Sequence, residues 1–183
     1  MMPQVQSSTP PAVVIHRWDN LPHRDKLVDQ LDAIFFEASN TKSFASKETR
    51  AAFRERWLGR YLARHSRWAY VALASDGTLA GYLVGALDEG SGVDDFAQAE
   101  QDFPAHLHVN LAPQYRSRGI GADLIEAFSA EVLKAGAKGV HVVTSADARN
   151  VRFYERVGFR ERARTTVNGH ELMLLGRRLV HSG

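Results

Sequence analysis

The 183-residue chain contains no cysteine, which excludes disulfide frameworks, thiolate metal sites and cysteine nucleophiles as explanations of its function. The lack of cysteine suits a reducing compartment, so we expect a cytoplasmic protein. No run of apolar residues approaches the roughly 20 that a membrane span requires, and we therefore predict no membrane partner. The first residues lack a basic segment followed by an apolar run, so we predict no signal peptide and a flexible tail over residues 1–11.

Excess charge of one sign is also missing. Lysine and arginine number 23 against 21 aspartates and glutamates, a net charge of +2, and no dense basic stripe is present. Because nucleic-acid binding proteins carry such a stripe, we predict no nucleic-acid partner. Apolar residues make up 44% and charged residues 24%, which is typical of globular proteins, and the length suits one domain, predicted over residues 12–183.

Short apolar runs alternate with turn signals and predict an α/β (α+β) protein. Strands are predicted at residues 12–18, 68–74, 78–87, 106–111, 139–144, 159–167 and 172–179, and helices at 23–38, 46–64, 119–135 and 148–157. The pairs Asp76-Gly77 and Asn168-Gly169 predict hairpin turns. Residues 88–102 lack periodicity and predict an acidic loop. This order predicts a mixed central sheet of six or seven strands flanked by about four helices.

A glycine-rich turn at residues 116–122 lies between a predicted strand and a predicted helix; we call it the glycine turn. Gly119 and Gly121 allow close approach of a ligand, and unpaired amides at a helix start attract anions. The guanidinium groups of Arg116 and Arg118, just before Gly119, suit a diphosphate. The alternative is a plain helix start with solvated arginines. A Walker nucleotide site is disfavoured because Ala122 and Asp123 replace its Lys and Ser/Thr, and the dinucleotide fingerprint lacks its third glycine.

Two segments resemble the signatures of the GNAT acetyltransferases. The glycine turn resembles that family's R/Q-x-x-G-x-G/A motif. The segment NVRFYERVGF resembles the family's second motif, and the matching residues are Asn150, Phe153, Tyr154, Gly158 and Phe159. The predicted order of elements matches the family over nearly the whole chain. The resemblance implies the GNAT fold, in which the fourth and fifth strands splay apart.

The resemblance also implies a cofactor and its site. Acetyl-CoA would be the co-substrate, with the main chain of Val109 and Leu111 pairing with its pantetheine arm. Asn150 and Phe153 would contact the same region. Tyr154 would be the general acid that protonates the departing CoA thiolate, unless it is a buried aromatic that packs under the sheet. The diphosphate would be held by the residues of the turn: Arg116, Ser117, Arg118, Gly119, Ile120, Gly121 and Ala122.

The base that would take the amine's proton is harder to assign. The family's usual base positions fall on Ala105 and Leu107, which carry no basic group. Strand alternation places His106, His108 and Asn110 on one face. A β-bulge could turn the histidines into the cleft, and His108 is then a catalytic candidate; the alternative is a structural histidine under a helix. Asn110, where the similar acetyltransferase-like domain of some O-GlcNAc hydrolases has an acidic residue, joins the candidate set but cannot act as a base.

The resulting interpretation is an N-acetyltransferase in which a primary amine attacks the thioester directly, in a ternary complex and without a metal. Two alternatives are a catalytically silent acyl-CoA-binding or regulatory module and, on the turn alone, a nucleotide-binding protein. The acceptor would be a small-molecule or peptide amine. The acidic loop favours a cationic acceptor, or else it is only a solvated surface. The family resemblance also allows a homodimer.

Overall fold

The computed structural model describes residues 11–181, which form a seven-stranded sheet with helices on both faces. The predicted tail therefore lies outside the described residues, apart from Pro11. The strands are β1 Val13–Arg17, β2 Tyr70–Ala74, β3 Leu79–Ala86, β4 Ala105–Leu111, β5 Gly139–Ser145, β6 Arg160–Val167 and β7 His170–Arg178. Their order in the sheet is β1-β2-β3-β4-β5-β7-β6, so the mixed seven-stranded sheet predicted from the sequence is confirmed.

The helices are α1 Val28–Ala38, α2 Lys47–Arg54, α3 Arg60–Arg64, α4 Ala97–Asp102, α5 Ile120–Lys134 and α6 Val151–Arg156. Ser46 caps α2, because its side chain accepts a hydrogen bond of 3.1 Å from the amide of Thr49. A π-helical turn, Glu55–Gly59, joins α2 to α3, so the helix predicted over residues 46–64 is one nearly continuous element. It lies over one face of the sheet and carries residues of the site described below.

The acidic segment at residues 88–102 is not a loop throughout, and this part of the prediction is wrong. It contains a 3-10 turn, Asp94–Phe96, and the short helix α4. Phe96 is completely buried and anchors the segment to the protein. A six-residue helix is too short to be stable by propensity, so tertiary packing stabilises it and no periodic pattern marks it in the sequence.

The two hairpin turns form as the sequence predicts. Asn168 and Gly169 both have positive φ, 50° and 79°, as a type I′ turn requires. Gly77 likewise has φ of 84°, in the turn between β2 and β3. These turns produce antiparallel pairs, and β4 and β5 form the parallel pair of the sheet.

The pairing of β4 with β5 is short. It joins Ala105 to Val140 and His106 to His141, whereas β4 pairs with β3 along its whole length to Leu111. Beyond His106 the edge of β4 that faces β5 therefore has no ladder partner within residues 11–181. The predicted splay of the fourth and fifth strands is thus present, and it opens a cleft in the middle of the sheet.

Opposite faces of β4 meet different helices. Gly85, the partner of Leu107 in the ladder, lies against Phe128 of α5, so Leu107 and its alternate neighbours face α5. The side chains of His106 and His108 contact Tyr61 of α3 on the other face. No helix among residues 11–181 is long and apolar enough to cross a membrane.

Candidate active site

The glycine turn has the backbone of an anion-binding site. Gly119 is the N-cap of the 15-residue helix α5 and has φ of 82°, while Ser117 has φ of 62°. These left-handed conformations favour glycine and turn the chain sharply. Within residues 11–181, no main-chain amide of residues 117–122 donates a hydrogen bond to a main-chain or side-chain acceptor. The amides are available at the positive end of the helix dipole.

The glycine turn is open to solvent at Gly119 and closely packed at Gly121. A Cβ added at Gly119 would meet no atom within 4 Å, so the turn is open there. At Gly121 an added Cβ would lie 3.0 Å from the ring of Phe153 and 3.7 Å from the side chain of Leu111. The turn, the end of β4 and α6 therefore meet at Gly121, which brings together three segments that the sequence assigned to one site. We call the space between these segments and β5 the cleft.

The two arginines of the turn differ in their contacts. Arg116 forms an ion pair with Glu37 at the end of α1. The guanidinium of Arg118 lies over the ring of Tyr115, 5.6 Å from its centroid. Both side chains are exposed, so both can reach an anion in solution. The pair with Glu37 partly neutralises Arg116 and fixes α1 beside the turn, a contact that the sequence did not predict.

Asn150 and Tyr154 come from the start and middle of α6. Asn150 accepts a hydrogen bond of 3.0 Å from the hydroxyl of Thr144 on β5, which places it at the opposite wall of the cleft. Tyr154 is 5% exposed and packs between Phe153 and Phe159, with ring centroids 5.2 Å and 5.5 Å away. Burial raises the pKa of the Tyr154 phenol, so the group keeps its proton at neutral pH.

The other face of β4 carries a group of rings that we call the histidine cluster: Tyr61, His106, His108 and His141. The Tyr61 hydroxyl lies 2.8 Å from His106 Nε2 and 3.2 Å from His108 Nε2. The rings of His106 and His141 lie 5.6 Å apart at 31°. The β3–β4 register runs without interruption from His106 to Leu111, so the bulge considered from the sequence is absent from β4. Both histidines face the layer of α3.

All three histidines of the cluster are held neutral. Burial, with smaller contributions from neighbouring positive groups, lowers the pKa of His106 to about 4 and that of His108 to about 3. Burial also lowers the pKa of His141, although its Nδ1 lies 2.5 Å from the carbonyl oxygen of Phe103. At pH 7 these imidazoles are therefore proton acceptors of low basicity.

Asn110 lies on the same face of β4 as His106 and His108, but it contacts a different side chain. Its amide donates a hydrogen bond of 2.9 Å to the hydroxyl of Tyr82 on β3. Burial raises the pKa of Tyr82, so this hydroxyl is neutral and can accept. The contact fixes the orientation of the Asn110 amide beside the opening of the cleft.

Comparison with known proteins decides the family. The model of the Acetyltransferase (GNAT) family matches residues 26–159, well over half of the chain. The chain belongs to the GNAT acetyltransferase family. Acyl transfer is the general chemistry that this membership supports.

Solved structures with the same fold agree with this assignment. SsHAT is 20% identical with a TM-score of 0.73, covering 93% of this chain and all of its own. An N-acetyltransferase from Staphylococcus aureus Mu50 is 16% identical with a TM-score of 0.64, covering 92% and 99%. A chain of the NatC complex bound to Gag peptide and CoA is 16% identical with a TM-score of 0.61, also covering 92% and 99%. At these identities the likeness establishes the GNAT fold.

Sequence reasoning missed three residues of this GNAT domain. Tyr61 was visible only as part of an apolar helical stripe. Arg60 donates a hydrogen bond of 2.7 Å to the Tyr61 hydroxyl and also pairs with Glu89, just after β3. His65 lies 3.3 Å from the same carboxylate. No local motif marks these contacts, since they join positions that are far apart in the chain.

The acidic segment of the GNAT domain presents less free charge than the sequence indicates. Glu100 accepts a hydrogen bond of 2.8 Å from the amide of Ser91, and Asp95 accepts one from the hydroxyl of Thr165. Asp102 lies 3.4 Å from the ammonium of Lys138. With Glu89 bound to Arg60, most of these carboxylates are used within the protein. The segment's attraction for cations is therefore weaker than its composition indicates.

Proposed function

We propose that this GNAT protein is an N-acetyltransferase that transfers the acetyl group of acetyl-CoA to a primary amine within a ternary complex. The observation that carries the proposal is the cleft: the edge of β4 is unpaired beyond His106 and leads to a helix start whose amides have no acceptor within residues 11–181. This arrangement offers main-chain groups to an extended arm and, next to them, donors to a diphosphate.

Different residues of the cleft would bind different parts of acetyl-CoA. Amides of residues 117–122, with Arg118 and Arg116, would hold the diphosphate, and hydrogen bonds to such a charged group contribute about 1.5–3 kcal/mol each. The main chain of Val109 and Leu111 would pair with the pantetheine arm, while Asn150 and Phe153 would form the opposite wall. Acetyl-CoA supplies the acetyl group as a reactive thioester.

Transfer requires that the amine lose a proton and that the departing thiolate gain one. Tyr154 is the proposed donor, because its buried phenol is protonated at neutral pH. Without a bulge in β4, His108 faces α3, so it is the proposed acceptor only for an amine bound on that side of the strand. Its imidazole is neutral at pH 7 and lies just past the point at which β4 and β5 separate. Asn110, fixed by Tyr82, is proposed to orient the amine and does not exchange protons.

A catalytically silent acyl-CoA-binding module is the second candidate. One observation favours it: Ala105 and Leu107, at the family's usual base positions, carry no proton acceptor, and Leu107 is buried. Such a module would use the same cleft for binding and would have no turnover.

Calorimetry with acetyl-CoA, followed by a thiol-release screen over amine classes, tests both candidates. We expect affinity for acetyl-CoA well above that for AMP, and turnover with at least one class of amine. Affinity no better than for AMP would contradict both candidates. Tight binding with no turnover, and no effect of Tyr154→Phe on CoA release, would favour the module.

A further inference from the structure

The Tyr61 hydroxyl connects two histidines that are two residues apart on β4. It lies within hydrogen-bond distance of Nε2 of His106 and of His108, and Arg60 Nη2 donates to it from 2.7 Å. One hydroxyl thus has three partners. Because a phenol has one proton and accepts through its lone pairs, these contacts restrict where each proton lies.

The distances indicate one arrangement of protons. Arg60 can only donate, so the phenol oxygen accepts from it. Hydrogen bonds donated by O–H are shorter than those donated by N–H, so the 2.8 Å contact fits the phenol donating to His106 Nε2. The 3.2 Å contact then fits His108 Nε2–H donating to the phenol. In this arrangement His106 carries its proton on Nδ1, and His108 Nδ1 is an unprotonated acceptor.

The surroundings of His106 Nδ1 are consistent with this arrangement. The atom is completely buried and has no hydrogen-bond partner among the described residues, in a side chain that is 6% exposed. Both the main chain and the carboxylate of Glu89 are close enough to favour the charged form of His106. The side chain of Glu89 is partly exposed, so its carboxylate can exchange protons with water.

Resting on the proposed function, we propose that Tyr61 is a relay residue that passes the acceptor amine's proton from His108 to His106. The proton that a charged acceptor amine must lose before it attacks moves to His108 Nδ1, and the Nε2–H proton of His108 moves to the phenol oxygen. The phenol's own proton moves to His106 Nε2. The Glu89 carboxylate then takes up the proton from His106 Nδ1 and passes it to water, so the base is a three-residue unit whose proton leaves through Glu89.

The charged groups around the cluster fit this direction of transfer. Arg60 lies beside the phenol and opposes a positive charge on both His106 and His108, whereas Glu89 favours the charged form of His106. Glu89 lies on the His106 side, with His65 near the same carboxylate. His141 opposes charge on His106, and its own Nε2 lies 3.8 Å from Glu100. A proton is therefore least stable on His108 and is drawn toward the carboxylates.

The test is the pH profile of Tyr61→Phe with an amine whose pKa is near that of lysine. Without the relay, only amine that has already lost its proton in solution can react. We expect kcat/KM for the amine to fall about 100-fold at pH 7 and the deficit to disappear above pH ~11, where most of the amine is itself neutral. A loss of equal size at every pH, or no loss, would overturn the relay.

Controls separate the relay from packing. Tyr70→Phe removes the hydroxyl of another buried tyrosine. Tyr70 lies on β2, away from the histidine cluster, so this variant should leave the pH profile unchanged. Glu89→Gln keeps Tyr61 in place and should give a smaller loss with the same pH dependence. An aromatic amine, neutral at pH 7, should react with Tyr61→Phe and with the unmodified protein at similar rates.

A second measurement does not depend on turnover. Long-range proton–nitrogen NMR of the imidazole rings should find His106 protonated at Nδ1 and His108 protonated at Nε2 at pH 7. The opposite pair of tautomers would overturn the relay even in an active enzyme. Absence of turnover with the expected tautomers would instead count against the proposed function.

Discussion

The two ends of β4 carry two chemically different regions. At its C-terminal end, Val109 and Leu111 have no ladder partner on the side that faces β5, and the amides of the glycine turn have no acceptor among residues 11–181. At its N-terminal end, His106 and His108 are enclosed by side chains from α3 and β5. The cleft is thus a set of open main-chain donors and acceptors, whereas the histidine cluster is a set of side chains already joined through the Tyr61 hydroxyl. Binding can use groups left open in the fold, whereas proton transfer needs groups that are already in contact.

The largest expected effect tests whether acid and base lie in separate regions. Tyr154→Phe removes the proposed acid from the cleft and should lower kcat at least about 100-fold, with little change in acetyl-CoA affinity. Stopped-flow thiol release measures it. Unlike that of Tyr61→Phe, this loss should persist at high pH, because the proton comes to the thiolate and not from the amine. If the loss in Tyr154→Phe instead disappeared at high pH, Tyr154 would act on the amine's proton, and the acid and the base would not lie in separate regions.

A substitution at Gly119 tests whether the turn binds through its main chain. Gly119→Val places a β-branched residue at φ of 82°, which strains the turn and reorients its amides. We expect acetyl-CoA affinity measured by calorimetry to fall about 100-fold, the equivalent of roughly one strong charge-assisted hydrogen bond. Gly136→Val, at φ of 98° beyond the other end of α5, matches the strain and should leave affinity unchanged. Equal losses in both would contradict binding by the turn.

The pH dependence of the free energy of unfolding tests whether the histidine cluster is buried. Both histidines titrate below the ordinary value near 6.5, so the neutral form is favoured on folding. Their contribution is fully present above pH 6.5 and is lost as pH falls toward the folded-state values of about 4 and 3. Between pH 7 and pH 5 each histidine should reduce the free energy of unfolding by about 2 kcal/mol, measured in urea.

Two variants isolate that contribution. In His108→Gln, the difference in the free energy of unfolding between pH 7 and pH 5 should be smaller by the contribution of one histidine. His170→Gln, at an exposed position in β7, should leave it unchanged. An identical pH dependence in all three proteins would mean that the cluster is open to solvent.

The smallest effect concerns the acidic segment. Asp88 and Asp94 are exposed and form no ion pair within residues 11–181. Replacing both with Asn should raise the apparent KM of a diamine roughly twofold to fivefold at low salt, and less for a monoamine. Steady-state assays at low and high salt measure this. An equal change in the KM of acetyl-CoA would show that the segment does not act on the acceptor.

Elements with a local signal were predictable, and those without one were not. Ser46 capping α2 and the Asn168-Gly169 turn follow from side-chain and backbone preferences that act within a few residues. Helix α4 was missed because its buried anchor, Phe96, lies just before it and no periodic pattern marks the helix itself. Burial of the phenol at Tyr154 was foreseen only as an alternative, since periodicity does not indicate what covers a ring.

By itself, the sequence determined the glycine turn, because a left-handed glycine followed by a helix start leaves amides open whatever lies around it. It also determined that the two histidines share one face of β4, because strand side chains alternate. The tertiary structure alone decided that Tyr61 lies between His106 and His108 and that Glu37 pairs with Arg116. Such contacts depend on how helices pack across the sheet, which no short segment of sequence specifies.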